Sequence, residues 1–335
     1  MIEIGIVGCG HWGPNYIRNF SVIKGCRVKT ICDLDMNRLN ILKELYPAIT
    51  VTTDLSYILK DPEIKAVVVA TPSASHFEMV KACLEQKKDV LCEKPLTLHI
   101  EEGEELIRLA KEKDCLLMVG HIFVFNLAIN KIKYYIREGV LGQIFYMHSR
   151  RTNLGPIRND VNAVWDLSSH DVSIFNFLLD AIPQEVSARG AAYLQKDLMD
   201  MAFITMSYPG EILVNIHVSW LDPRKVRQIT VVGNSKMLTW DDLSTIGPIC
   251  LYDKGISREP YYQDYGEFHL LAREGDVTFP KISQLEPLRI QCQTFLQGIQ
   301  ERRIEKATAQ EGLEAVRVLS AIQKSIDLKG APVKV

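Results

Sequence analysis

The chain is poor in the features that would place it outside the ordinary globular proteins. Lys plus Arg is 39 against 41 Asp plus Glu, a formal net charge of -2, so it lacks the basic excess of a nucleic-acid surface. No apolar run approaches the roughly 20 residues that span a bilayer. The first residues, Met1 to Val7, have neither the basic flank nor the cleavage site of a secretory leader. The eight cysteines include no Cys-x-x-Cys pair, and Cys32 and Cys92 fall inside expected strands. They read as buried thiols, which excludes a disulfide frame and a zinc site and points to a reducing, cytoplasmic setting with no metal. Internal repeats and low-complexity tracts are missing as well. What remains is a 335-residue chain, long enough for two domains with real cores.

The first strand, Ile2 to Val7, runs into Gly8-Cys9-Gly10-His11-Trp12-Gly13, and a helix follows from Asn15. A second strand, Arg27 to Cys32, ends at Asp33, an acid 20 residues beyond the last glycine of the motif. Strand, glycine turn, helix and acid together form the dinucleotide-binding context. Gly8 makes the turn, Gly10 lets main-chain amides reach a pyrophosphate, and Gly13 lets helix and strand pack closely. His11 and Trp12 occupy the variable positions of the turn. Asp33 would hold the adenosine ribose hydroxyls, which with Asp35 nearby favours NAD over NADP; Arg38 weakens that preference slightly.

Strands and helices continue to alternate, with an apolar strand at Ala66 to Ala70 and a sixth at Cys115 to Gly120 ending at His121. This pattern predicts an α/β doubly wound parallel sheet over residues 1–122. Thr71, Pro72, Ser75 and His76 follow the apolar strand and suit the nicotinamide half of a cofactor, although His76 also fits a packing or capping role. Asp89-Val90-Leu91-Cys92-Glu93-Lys94-Pro95 puts an acid, a lysine and a proline at the carboxyl end of a buried strand, where ligands of open α/β sheets sit. Pro95 restricts Lys94, so the ammonium is held at the rim in a set direction, placed to polarise a reacting oxygen. The same triplet also fits a plain surface loop.

From residue 123 to 335 the pattern changes to an α+β domain. Successive β-rich segments between Ile144 and Trp240 predict a large, mostly antiparallel open sheet, with hairpin signals at Pro209-Gly210 and Gly233-Asn234. One face of such a sheet stays free of helices, which predicts a homo-oligomer, dimer or tetramer. Within Trp165-Asp166-Leu167-Ser168-Ser169-His170-Asp171, Asp166 and His170 stand four apart, on one face of an expected helix. A carboxylate beside an imidazole suits a general base; a capping acid and a packed histidine fit the spacing too.

The glycine turn Gly8-x-Gly10-x-x-Gly13, the Glu93-Lys94-Pro95 triplet and Asp166-x-x-x-His170-Asp171 ahead of a β-rich domain resemble the Gfo/Idh/MocA oxidoreductases over the whole chain. The resemblance implies NAD(P)-linked hydride transfer at a carbohydrate or polyol carbon. Lys94 and His170 would be the active-site pair, supported by Asp166, with Lys94–Pro95 a candidate cis bond. It also adds Glu93, Lys94 and His121 to the cofactor contacts. Two stretches depart from the common pattern: His121 to Asn126, where an arginine is usual, and Val161 to Trp165, where glycines are usual. With Trp220-Leu221-Asp222-Pro223 and Val231-Val232-Gly233, they look more like the branch acting on UDP-activated amino sugars. Members of that branch oxidise the 3-hydroxyl of UDP-GlcNAc, or of its uronic acid, to a 3-keto sugar that an aminotransferase consumes. On that reading Arg158, Asn159, Trp165, Arg151 and Arg227, with Lys94 and His170, would line the substrate, and Arg224 and Lys225 are further cations for a diphosphate. The rivals are a free-sugar or polyol dehydrogenase, an NAD(P)H ketosugar reductase, and a non-catalytic NAD-binding regulator.

Overall fold

The computed structural model describes the chain except residues 159, 197 and 259–269; for 256–258 and 270–273 it describes the main chain alone. Residues 1–125 and 285–320 form one compact unit, and 126–284 with 321–335 form a second.

In the first unit the strands are β1 (Ile2–Val7), β2 (Cys26–Cys32), β3 (Thr50–Thr52), β4 (Ile64–Val69), β5 (Asp89–Cys92) and β6 (Leu117–Val119). All pair parallel, in the order β3-β2-β1-β4-β5-β6. This is the Rossmann order, in which the chain reverses direction across the sheet between β1 and β4. The intervening helices are α1 (Gly13–Val22), α2 (Met36–Leu45), α3 (Ser56–Lys60), α4 (His76–Glu85) and α5 (Ile100–Glu112). Val67, Val68 and Val69 of β4 and Val90, Leu91 and Cys92 of β5 are wholly buried, because helices cover both faces and no alternation of polarity is needed.

The expected division at residue 122 differs from the structure, because the chain comes back. A later helix, α8 (Pro287–Glu301), belongs to the first unit and packs on α1. It buries Leu288, Cys292, Phe295 and Leu296, while Arg18 donates to Glu286 at its N-terminus through Nη1 (3.0 Å) and Nη2 (2.5 Å). The amphipathic period of α8 announces a buried face but not its partner. Helix α9 (Ala309–Asp327) then passes from the first unit into the second.

The second unit holds α6 (Leu127–Arg137), α7 (Ser169–Leu179), a two-stranded ribbon of β14 (Gly255–Arg258) and β15 (Leu270–Arg273), and a nine-stranded sheet ordered β16-β13-β12-β11-β7-β10-β9-β8-β17, with β13 (Ile249–Tyr252), β16 (Val277–Thr278) and β17 (Val333–Lys334) toward its edges. Its central strands are β7 (Ile144–Leu154), β9 (Met201–Tyr208), β10 (Ile212–Ser219), β11 (Leu221–Gly233) and β12 (Met237–Asp241), flanked by β8 (Glu185–Ala191). The pairing is antiparallel except between β7 and β10. Gly210, at φ 77°, turns β9 back into β10, and β11 pairs with β12 beyond Gly233 and Asn234. Val214, Ile216 and Val218 are buried on one face of β10, while Leu213 and Asn215 are exposed on the other. Among the described residues no helix is long and apolar enough to cross a membrane.

Candidate active site

The dinucleotide turn has the tightness the glycines imply. Gly8 sits at φ 91°, and a Cβ there would lie 2.6 Å from the Ala70 carbonyl group. A Cβ on Gly13 would lie 2.1 Å from the Gly8 oxygen, so helix and strand could not close on one another with any other residue. Asp33 is held at the end of β2 by two main-chain amides: Cys9 N donates to Oδ2 (2.6 Å) and Asp35 N to Oδ1 (2.8 Å). The carboxylate therefore faces the turn in one fixed orientation. Asp35 caps α2 and pairs with Arg38 at 3.3 Å, and Arg38 Nη1 would lie 3.8 Å from a Cβ on Gly10. His11 and Trp12 meet edge to face at 5.6 Å on the outside of the turn.

Beyond β4, Ser75 Oγ lies 2.9 Å from Thr71 Oγ1 and 2.8 Å from the Pro72 carbonyl, shaping a short turn ahead of α4. Of the two places open to His76, against the cofactor or packed in the turn, the structure has the second: it is 1% exposed, with Nδ1 2.7 Å from the Pro95 carbonyl and Nε2 3.0 Å from the Thr71 carbonyl. It works as a bolt between the Thr71 turn and the turn that carries Lys94.

Lys94 follows β5 directly, is 8% exposed, and precedes a cis peptide bond to Pro95. Glu93, expected at the cofactor, points inward: Tyr16 donates to its Oε1 (2.6 Å) and the Lys94 amide to its Oε2 (3.1 Å). Burial pushes the Glu93 carboxyl up from its ordinary value, against the lowering pull of the Tyr16 hydrogen bond and the Lys94 charge. His121, at the end of β6, is 2% exposed, and among the described residues neither ring nitrogen has a hydrogen-bond partner. Burial, and after it the Lys94 charge, lowers its pKa to about 4. The ring is thus neutral near pH 7 and offers one donor and one acceptor. A glycine cradle that any Cβ would fill, a pinned carboxylate and an orphaned neutral imidazole beside the lysine fit a bound nicotinamide dinucleotide.

In the second unit, the α-helix expected to carry both Asp166 and His170 is in part a π-helical turn. It spans Val164–Ser168 and passes into α7, so Asp166 lies on the wide turn and His170 on the first turn of α7. Three serines return hydrogen bonds to main-chain carbonyls here: Ser168 to Val164 (2.6 Å), Ser169 to Asp166 (3.1 Å) and Ser173 to His170 (2.8 Å). Such back-bonding bends helices, and isolated π turns occur often at functional sites. Asp166 accepts from Arg158 Nη1 (3.2 Å) and from the indole of Trp220 (3.4 Å). Arg158 also donates from Nε to Asp160 at 2.8 Å, and that bond chiefly holds its guanidinium above its ordinary value. Trp165 lies half-buried on the same π turn.

Arg151 is a correction. It was expected to face a diphosphate, but it is 3% exposed and holds the buried Asp171 through Nε (2.8 Å) and Nη2 (3.2 Å). Alternation along β7 directs position 151 to the covered face, so this arginine ties the start of α7 to the sheet. Arg227 pairs with Asp242 at 3.1 Å, Arg224 and Lys225 are exposed, and Asn159 lies outside the described residues. Tyr16 and Gln291 read in the sequence as core or helix-face residues, and only the fold brings them to Glu93; Trp220 is marked in the sequence by its run with Leu221-Asp222-Pro223, but its contact with Asp166 is visible only in the fold.

Comparison with known proteins bears on this geometry. Residues 2–121 match the family model described as "Oxidoreductase family, NAD-binding Rossmann fold", and residues 129–239 match the GFO/IDH/MocA C-terminal domain. The chain is similar to the myo-inositol 2-dehydrogenase of Thermotoga maritima, 24% identical over 98% of this chain and 97% of that protein. It is 25% identical to the UDP-N-acetylglucosamine 3-dehydrogenase of Acidithiobacillus ferrooxidans, over 92% of this chain and 96% of the relative. The crystal structure of GenD2 from gentamicin A biosynthesis, in complex with NAD, superimposes with a TM-score of 0.84 at 20% identity, covering 100% of this chain and 96% of the other.

Proposed function

Because the chain belongs to the Gfo/Idh/MocA family of NAD-binding oxidoreductases, we propose that it oxidises the 3-hydroxyl of a UDP-linked N-acetylated sugar, UDP-GlcNAc first, to the 3-keto sugar. The family and the relatives support oxidation of a CH–OH group with NAD as the coarser statement. The finer one rests on a single observation in the second unit: Arg158 is held beside Asp166 by its bond to Asp160, a fixed cation at the general-base candidate. Similarity to the UDP-N-acetylglucosamine 3-dehydrogenase supports the same reading.

When bound, NAD supplies the hydride acceptor. The protein's residues do the rest. His170, oriented by Asp166, takes the proton of the 3-hydroxyl, and Lys94 donates a hydrogen bond to that oxygen as negative charge builds on it. Asp33 would hold the ribose of the cofactor and the Gly8 to Gly13 turn its pyrophosphate. The 3-keto product would pass to an aminotransferase, and the uronic acid of UDP-GlcNAc is the alternative sugar in the same site.

A second reading, oxidation of a free polyol, has its own support. The inositol dehydrogenase of Thermotoga maritima is as similar as the nucleotide-sugar enzyme, and Arg151 is withdrawn from the candidate phosphate contacts. The deciding experiment follows NADH absorbance with NAD and, separately, UDP-GlcNAc, UDP-GlcNAc uronic acid, free GlcNAc and myo-inositol. An aminotransferase with glutamate is included to draw off the ketone. NADH formed only with a UDP-sugar supports the proposal; NADH formed only with GlcNAc or inositol overturns the substrate and keeps the chemistry. His170→Asn should lower turnover by about 10²–10⁴-fold while NAD affinity holds, and near-normal turnover would remove His170 from its role.

A further inference from the structure

Behind Lys94 lies a chain of polar side chains that the proposed reaction does not itself use. Gln291 Nε2, on α8, donates to the Tyr16 hydroxyl (2.8 Å), and Tyr16, on α1, donates to Glu93 Oε1 (2.6 Å). The other Glu93 oxygen accepts from the Lys94 amide (3.1 Å). Tyr16 and Gln291 are fully buried and Glu93 is 6% exposed. The end of β6 presses on the carboxylate: a Cβ on Gly120 would lie 3.1 Å from Glu93 Oε1. Gln291 Oε1 has no hydrogen-bond partner among the described residues.

A core position filled this way is costly. Burying a carboxylate, a phenol and an amide demands that each be hydrogen-bonded, whereas leucine and phenylalanine would fill the same space without that demand. What the polar chain adds is direction. It fixes the plane of one carboxylate, and through it the main-chain amide of the residue that bears the ammonium. The next residue is tied as well, since His76 Nδ1 lies 2.7 Å from the Pro95 carbonyl. Tyr16 stands one turn into the helix that opens on the dinucleotide loop, so cofactor loop and lysine share one rigid link.

We propose that Tyr16 and Gln291 are positioning residues for Lys94, aiming its ammonium through the Glu93 carboxylate from the helix that begins at the dinucleotide turn. The proposal rests on the reading of Lys94 as the group that holds the reacting oxygen. Tyr16→Phe removes one hydroxyl and keeps the ring. With NAD and UDP-GlcNAc it should lower kcat about tenfold, the scale of a sub-ångström misplacement, and leave the Kd for NAD within about twofold. In a Lys94→Ala background the same change should cost nothing further, because residues acting through one group are non-additive. In the cofactor-free protein, reductive methylation of Lys94 should run about threefold faster than in the parent as its turn loosens. The rate is read by peptide mass spectrometry against the exposed Lys87 as internal reference.

Unchanged kcat with unchanged Lys94 labelling overturns the proposal. So does an equal loss in the Lys94→Ala background, which would make Tyr16 a structural residue only. Should Tyr16→Phe not fold, Gln291→Leu is read in the same way. Full turnover in Lys94→Ala alone, or no turnover of UDP-GlcNAc by the parent, would count against the catalytic or substrate reading; the labelling rate then decides positioning by itself.

Discussion

At the scale of single residues, the most consequential group is His121, buried and neutral beside a lysine. Its pKa falls from 6.5 to about 4 on folding, so between those values the unfolded chain binds the proton that the folded one refuses. Stability from this group is therefore complete above pH 6.5 and is lost as pH falls toward 4. The loss is on the order of 3 kcal/mol. Glu93 has the opposite sign: its raised pKa contributes stability at low pH that is lost as pH rises through the folded value. Urea denaturation of the parent and of His121→Asn from pH 7 to 4.5 separates the two. The variant should show a clearly shallower decline, and an identical slope would mean that His121 does not govern it. The placement of Asp33 and the tightness of the glycine turn are readable from sequence because they follow from chain geometry within one βαβ unit. Arg151 turns to the covered face, Glu93 inward, and His76 takes the packing role its position also allows, for a common reason: sequence shows which charged or polar residues lie near a strand end, not which way each side chain turns. Arg151 shows it most plainly, since one step along β7 separates a solvent-facing cation from a buried partner for Asp171.

Among the elements, the parallel strands were legible because apolar runs bounded by turn residues leave few alternatives. The π turn at Val164–Ser168 was not, because its hydrogen-bond register is chosen by serine back-bonding and packing, which carry no periodic signature. Helix α8 was legible as a helix but not in its destination. Phe295 is wholly buried on it, so Phe295→Ala should destabilise the protein by about 3–5 kcal/mol, the range for an aromatic core truncation. Thermal or urea unfolding measures this, and a loss below 1 kcal/mol, roughly that of a surface substitution, would contradict the packing of α8 on α1. Because α1 starts at the dinucleotide turn, weaker NAD binding should accompany the loss.

Over the whole molecule, the second unit presents a sheet face that its own helices leave open. Tyr146, Leu213 and Phe203 are about half exposed on it, among His148, Asn215 and Thr205. Leu213 pairs with Tyr146 on one side, and Phe203 stacks on His217 at 4.4 Å. We propose that a second copy of the chain covers this face, as expected from the open sheet. Apolar side chains spread over adjacent strands fit a self-complementary two-fold contact. Leu213→Glu should then halve the particle mass seen by light scattering after gel filtration. A parent that is already monomeric, or a variant of unchanged mass, would refute it.

The return of residues 285–320 to the first unit also bears on how the protein is made. Synthesis runs from the N-terminus, and domains usually fold as they emerge. Here the segment that carries the glycine turn is released early, yet Phe295 and Gln291, which complete its core, leave the ribosome only after residues 126–284 of the second unit have been polymerised. The core of the nucleotide-binding half is therefore complete only once its second segment, residues 285–320, has been made. Nearly all the residues that would touch the cofactor are thus made at the beginning, and the helix that closes the core behind them near the end.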